Sequence, residues 1–230
     1  DILCSDCKSF VASVEAIRRA EHPLAAKNAV LSRRESVGGL ILAASPDTKK
    51  DYGVKLGTRK FELGPAMDVQ IVPPHMRDYI KMNYRINNIY RQFTDDAHWY
   101  VYSIDESFID VTHSHRLFGS DEDIAQTIRE RVYAETGIWT TVGMGPNPLL
   151  AKLALDNEAK EAAPRQAYWG YAHAETKLHR PTDLTAFWSI GPKTAAKLQT
   201  LGLHPLGGLA PAHRAPLPPR PAFLGASLVL

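Results

Sequence analysis

Apolar and polar residues alternate along this chain in two distinct rhythms. Residues 2–6 form a short apolar run ending on a carboxylate, which predicts a strand. Phe10, Val14 and Ile17 then recur at i, i+4 and i+7. That spacing predicts a helix with one buried face, Ser9 as its cap and Glu15–Arg19 as an i,i+4 pair on the other side. From His22 to about Pro74 the elements shorten. Residues 29–32 and 40–44 read as a hairpin across Gly38 and Gly39, and 48–52 as a short helix closed by Gly53. Met82, Ile86, Ile89 and Phe93 form the inner stripe of a helix predicted over 75–93. Residues 99–104 and 108–112, rich in aromatic and β-branched side chains, predict two strands around an acidic turn at Asp105 and Glu106. Ser120 and Asp123 form a capping box for a helix with Ile124, Ile128 and Val132 inside, ended by Gly137. Residues 138–142 predict a fourth strand, 149–160 a helix and 166–170 a further strand.

With the insertion at 22–74 set aside, the order is strand, helix, strand, strand, helix, strand. This is the split β-α-β order of a ferredoxin-like α+β domain. In that arrangement the turn between the second and third strands lies where the first strand finishes. Asp6, Asp105 and Glu106 are therefore expected to meet at one edge of the sheet. An isolated Asp-Glu pair reads as a solvated turn, but three carboxylates gathered together are costly without a cation. A rigid hairpin tip of this kind suits a hard divalent ion. Lys152 and Lys160 lie two turns apart on roughly one side of their helix. Further on, two short helices flank Ser189-Ile190-Gly191. They read either as an ordinary helical hairpin or as a helix-hairpin-helix, whose backbone N–H groups hold a phosphate.

The 230 residues are 44% hydrophobic, enough for one or two compact domains. A formal charge of +2 favours no partner by itself. Its distribution is more telling: residues 184–230 contain no Asp or Glu but carry Lys193, Lys197, Arg214 and Arg220, which suits an anionic partner. Cys4 and Cys7 are too few for a disulfide framework; they read as packing residues in a reducing, cytoplasmic setting. No stretch has the apolar length of a membrane span and no signal peptide opens the chain. The chain begins at Asp1 directly in a strand pattern, as an internal fragment would. From 206 to 230 Pro is interleaved with Ala, Leu, Gly and Arg, and a disordered or aberrant tail is expected.

Several motifs together resemble a known family. They are Asp6-Cys7-Lys8-Ser9-Phe10-Val11-Ala12-Ser13-Val14-Glu15; Leu42-Ala43-Ala44-Ser45-Pro46 with Lys50 and Tyr52-Gly53-Val54-Lys55; Ser103-Ile104-Asp105-Glu106-Ser107-Phe108-Ile109-Asp110; Asn147-Pro148-Leu149-Leu150-Ala151-Lys152-Leu153-Ala154; and Phe187-Trp188-Ser189-Ile190-Gly191. In this order, over residues 1 to about 205, they resemble the Y-family, UmuC-like (ImpB/MucB/SamB) translesion DNA polymerases, in particular the UmuC type of Gram-positive bacteria and their plasmids.

The resemblance implies a palm at 1–21 and 75–165, fingers at 22–74, a helix-hairpin-helix thumb at 166–205 and a tail at 206–230. It implies a DNA-directed DNA polymerase of SOS damage tolerance, or the catalytic fragment of one. Its substrates would be primer-template DNA and dNTPs, and its partners a sliding clamp and other SOS proteins. Asp6 and Asp105 would bind two Mg²⁺ ions, with Glu106 and the Cys7 carbonyl completing the site. Lys50 and Lys160 would contact the triphosphate, Ala43 and Ala44 would roof the nascent base pair, and Ser189, Ile190, Gly191 and Lys193 would meet DNA.

The sequence departs from the family in four places. Leu155–Ala159 is one residue longer than the usual spacing before Lys160. Val11 stands where Tyr or Phe usually blocks a ribose 2′-hydroxyl, and Ser189 replaces the first Gly of Gly-Ile-Gly. The C-terminal little finger that grips duplex DNA is not recognisable, so the tail is expected to reflect a frameshift or truncation. Two other readings stand beside the polymerase: an inactive DNA-binding remnant of one, and a nucleotidyl cyclase on the same palm. The thumb-like unit at 183–203 argues against the cyclase.

Overall fold

Strand β1 (Ile2–Cys7) runs through the middle of a five-stranded sheet in a computed structural model that describes residues 1–32, 38–64, 66–177 and 184–200. Helix α1 (Phe10–Arg18) follows it, and then a smaller sheet is inserted, built from β2 (Asn28–Leu31), β3 (Ile41–Ala44) and β4 (Gln70–Val72), with α2 (Pro46–Tyr52). The chain returns through α3 (Met76–Tyr90), β5 (Trp99–Val101), β6 (Glu106–Asp110), α4 (His115–Phe118), α5 (Asp121–Thr136) and β7 (Thr140–Gly145). It continues into α6 (Pro148–Ala154), a π turn over Leu155–Ala159, and β8 (Gln166–Tyr168).

The large sheet has the order β5-β6-β1-β7-β8. Leaving β8 aside, this is the ferredoxin-like arrangement that the element order implies, with β6 between β5 and β1. β8 pairs parallel to β7, so residues 166–168, expected at the start of a thumb, form the outer strand of this sheet. β7 runs on to Gly145, three residues beyond the predicted strand, because Gly143, Met144 and Gly145 pair with Cys4, Leu3 and Ile2.

Period-two alternation divides the sheet into two faces. Leu3 and Cys7 of β1, Ile109 of β6, and Val142 and Met144 of β7 join one core with α1, α3 and α5. The long helices supply Val14, Tyr79, Ile86, Ile89, Ile124, Ile128 and Val132 to it. Cys4 and Asp6, out of phase with Leu3 and Cys7, belong to the other face. Cys4 and Cys7 are thus buried free thiols on opposite faces, which suits packing and not a shared ligand.

Two local expectations fail for definite reasons. Ser9 does not cap α1: it lies in the left-handed region at φ 46°, and its hydroxyl instead accepts from Lys49 Nζ at 3.1 Å. Glu15 is not on a solvated face. It is 2% exposed, and its Oε1 accepts from Tyr79 Oη at 2.5 Å and lies 2.9 Å from His75 Nδ1. Arg19, where the chain leaves for the inserted sheet, and His75, where it returns, both pair with this one carboxylate.

The inserted sheet has its own small core of Ala29, Leu31, Ile41, Ala44 and Val54. β2 and β3 pair antiparallel as the expected hairpin; residues 33–37 of its turn lie outside the described residues. Gly53 closes α2 in the left-handed conformation, as predicted. Ser120 and Asp123 form the capping box of α5, and Gly137 ends that helix at φ 74°.

The chain divides into two compact units, Asp1–Tyr168 and a second from Trp169 onward. In the second, α7 (Tyr171–Lys177) is followed by a 3₁₀ turn (Leu184–Ala186) and α8 (Pro192–Thr200). Leu184, Ala195, Leu198 and Ile190 pack together there. The expected tail at 206–230, with Arg214 and Arg220, and the end of the expected thumb at 201–205 lie outside the described residues.

Candidate active site

Asp6 and Glu106 are register partners on β1 and β6. Cross-strand partners share a face with Cβ atoms about 4.5–5.5 Å apart, where like charges repel. Glu106 is therefore the first residue of a strand, not part of the turn. Asp105 does occupy the turn, and its carbonyl accepts from the Cys7 N–H at 2.9 Å. The backbone thus brings all three predicted carboxylates to one end of the sheet.

The hairpin tip is fixed from within and from outside. Ser103 Oγ accepts from the Glu106 N–H at 3.0 Å and donates to Asp105 Oδ1 at 2.7 Å. From α3, Asn83 Nδ2 donates to the Ile104 carbonyl at 2.8 Å.

The opposite wall comes from α6, and Gly143 permits its approach. A Cβ at Gly143 would stand 2.1 Å from the Ala151 carbonyl oxygen and 2.3 Å from the Leu155 nitrogen. Glycine at this position of β7 lets helix backbone rest directly on the sheet. The extra residue before Lys160 is taken up by the π turn, where the Lys160 N–H donates to the Leu155 carbonyl at 3.3 Å. Lys160 consequently still faces the site: its Nζ is 2.9 Å from Asp6 Oδ2 and 2.8 Å from Asp156 Oδ1. Lys152 Nζ is 2.6 Å from Glu106 Oε1 and 3.2 Å from Asp156 Oδ2. Three carboxylates and two ammoniums alternate in one chain, Asp6–Lys160–Asp156–Lys152–Glu106.

Burial raises the cost of every charge here. It pushes the Asp6 carboxyl up to about 6, with Lys160 pulling the other way and Glu106 adding to the rise. Burial alone would lower the Lys160 ammonium, but Asp6 and Asp156 outweigh it and hold the group above its ordinary value. Lys152 behaves likewise, with Glu106 the main opposing influence. Both lysines therefore remain charged. Lys49 is lowered, first by burial and then by Lys8.

The other predicted residues are placed unevenly. Cys7 is 3% exposed and its side chain belongs to the main core, so the thiol is not a ligand for this site. Lys49 and Lys50 are both exposed, and Lys49 is the one that bonds Ser9 and feels the charges of Asp6 and Asp105. Val11 is half-buried against the main core. Ala44 is 1% exposed inside the small core, which leaves no surface to offer a nucleobase; Ala43 is half-buried. In the second unit, Ser189 has φ 71°, a left-handed conformation natural to glycine. Gly191 and Lys193 lie at the start of α8.

Lys152 and Asp156 went unrecognised as site residues. Their i,i+4 spacing was legible, but a lysine 4% exposed reads in sequence like any solvated one.

The donor chemistry suits a hard divalent cation: three carboxylates brought by rigid backbone to one end of the sheet, with ammonium groups beside two of them. Each predicted carboxylate nevertheless has a separate partner, Lys160 for Asp6, Ser103 for Asp105 and Lys152 for Glu106. Among the described residues, the one set of His, Cys, Asp or Glu atoms gathered within 4.8 Å is Asp1, His115 and Asp121. It lies at the opposite end of β1.

Residues 5–156 match the pattern of the impB/mucB/samB family. The chain belongs to that family. It is 37% identical over 210 residues to the "Putative UV-damage repair protein UvrX" of Bacillus subtilis, covering 91% of this chain and 49% of that protein. It is 36% identical to "DNA polymerase IV 2" of Halalkalibacterium halodurans, covering 91% of this chain and 50% of the relative. The chain spans about half the length of these curated relatives. Among solved structures, the "Insertion ternary complex of Dbh DNA polymerase" matches with a TM-score of 0.78 at 25% identity, over 91% of this chain and 60% of that one. A DinB structure from Sulfolobus solfataricus, at 24% identity and a TM-score of 0.75, shares the fold. No helix among the described residues is long and apolar enough to cross a membrane.

Proposed function

We propose that this chain carries the catalytic palm of a translesion DNA-directed DNA polymerase, with the palm at 1–21 plus 75–168, the fingers at 22–74 and the thumb at 169–205. The observation that carries this reading is the direct opposition of Asp6 and Glu106, with Asp105 beside them. Asp6, Asp105, Glu106 and the Cys7 carbonyl would hold two Mg²⁺ ions. Such ions, when bound, stabilise charge on the attacking primer oxygen and the leaving pyrophosphate oxygen. The protein's own groups supply the rest. The Ser103 and Asn83 contacts keep the hairpin tip rigid, so the carboxylates need little reorganisation. Lys160 neutralises the polyphosphate as a compact cation, with Lys49 or Lys50 on the fingers side. Ala43, half-buried and small, offers little bulk against a base pair. Val11, shorter than an aromatic ring, leaves the sugar edge open. Ser189, Ile190, Gly191 and Lys193 would hold a DNA phosphate at the start of α8. Primer-template DNA and dNTPs are the substrates; a sliding clamp and SOS proteins belong to the same reading.

A second reading keeps the site without the catalysis: it binds DNA and metal but does not extend a primer. Single-nucleotide insertion separates the two. With Mg²⁺ and each dNTP in turn, the polymerase adds only the nucleotide complementary to the template. Binding of primer-template without insertion supports the second reading.

A further inference from the structure

Two lysines sit on the carboxylates that would hold metal, but they are held differently. Lys152 has a side chain 5% exposed and is enclosed between Glu106 and Asp156. Lys160 has a side chain 32% exposed, and its ammonium is shared between Asp6 at 2.9 Å and Asp156 at 2.8 Å. Asp156 is the i,i+4 partner of both, so one carboxylate on α6 and its π turn tethers both cations. A metal ion at Asp6 and the Lys160 ammonium would compete for the same carboxylate.

We propose that Asp156 is a positioning residue that shares Lys160 with Asp6. Lys160 occupies Asp6 when the metal is absent. When a divalent cation takes Asp6, Asp156 retains the displaced ammonium at the rim, where it meets the polyphosphate of the incoming substrate. Lys152 stays on Glu106 throughout and leaves the second oxygen of that carboxylate for the metal. This inference rests on the metal-site reading above.

The test measures Mn²⁺ binding to the full chain by the electron paramagnetic resonance signal of the free ion. Lys160→Met removes the competitor, and Mn²⁺ should bind about three- to tenfold more tightly. Asp156→Asn leaves Lys160 with Asp6 alone, and Mn²⁺ should bind more weakly by a similar factor. Asp156→Glu, which keeps the tether charge, should restore most of the loss. With Mn²⁺ saturating, inorganic pyrophosphate should bind more weakly to both Lys160→Met and Asp156→Asn than to the native chain. A purely structural role for Asp156 predicts weaker Mn²⁺ binding in both variants and no rescue by Glu; that result overturns the proposal. If the native chain binds no Mn²⁺, the metal-site reading falls and this inference with it. If it binds Mn²⁺ but the two variants do not move in opposite directions, only the inference falls.

Discussion

Asp6 and Glu106 face each other as register partners across the β1–β6 pair, two carboxylates on neighbouring strands and on the same face. A folded protein does not gain stability from that arrangement; adjacent like charges on paired strands oppose folding. Lys160 and Lys152 offset the repulsion from above.

The folded-state Asp6 carboxyl is raised to about 6, above its ordinary value near 3.8. A raised acid binds more protons folded than unfolded, so its contribution to stability falls as pH rises from about 4 to about 6 and stays low above that. Without divalent cations, Asp6→Asn should remove most of this loss, stabilising the chain at pH 7.5 by up to about 3 kcal/mol and little at pH 4. Urea unfolding in EDTA at both pH values measures it. An equal effect at both, or none, would contradict the raised Asp6.

Gly143→Ala should be among the most damaging single-methyl additions in the chain. The new Cβ meets backbone, which has no rotamer to escape into. A loss of about 3 kcal/mol or more is expected, with α6 displaced from β7. A melting temperature within a degree or two of the native chain would show that α6 does not rest on Gly143.

Much of this arrangement is legible from sequence. The strand–helix order emerges because the strands are short runs rich in apolar and β-branched residues, while α1, α3 and α5 each carry an apolar stripe at helical spacing. That order alone places Asp6 beside Asp105 and Glu106. The lysines are harder to read. Lys152 is buried by tertiary contact with Glu106, which no local pattern encodes. Whether Lys49 or Lys50 turns toward the carboxylates depends on about 100° of rotation about α2, finer than spacing resolves. Ser9 has the composition of a cap but sits in the left-handed region, and its hydroxyl accepts from Lys49 instead. The extra residue before Lys160 is visible in sequence, but its accommodation in a π turn is not.

Val11→Tyr should sharpen sugar selection. Val11 lies at the first turn of α1, four residues beyond Cys7. An aromatic ring there would crowd a 2′-hydroxyl, and ribonucleotide insertion should fall about tenfold or more against deoxyribonucleotide insertion. Competition between matched NTP and dNTP on one primer reads the ratio. An unchanged ratio would remove Val11 from the sugar pocket.

Ser189→Gly should relieve the strain of a left-handed serine at φ 71°. A gain of about 1 kcal/mol in the local stability of the α8 unit is expected, read as slower amide exchange at Ile190 and Ala195. Faster exchange in the variant would show that the Ser189 side chain stabilises the turn.

In the proposed polymerase, Asp6, Asp105 and Glu106 hold the metal ions for template-directed nucleotidyl transfer. Primer extension with Mg²⁺ and dNTPs tests it most directly. The assay uses the chain as it stands and the chain joined to the half of UvrX that it does not span, each with and without Asp105→Ala. Extension should occur in at least one native form and be abolished in its Asp105→Ala counterpart. Extension in neither native form, or extension undiminished by Asp105→Ala, would contradict the account.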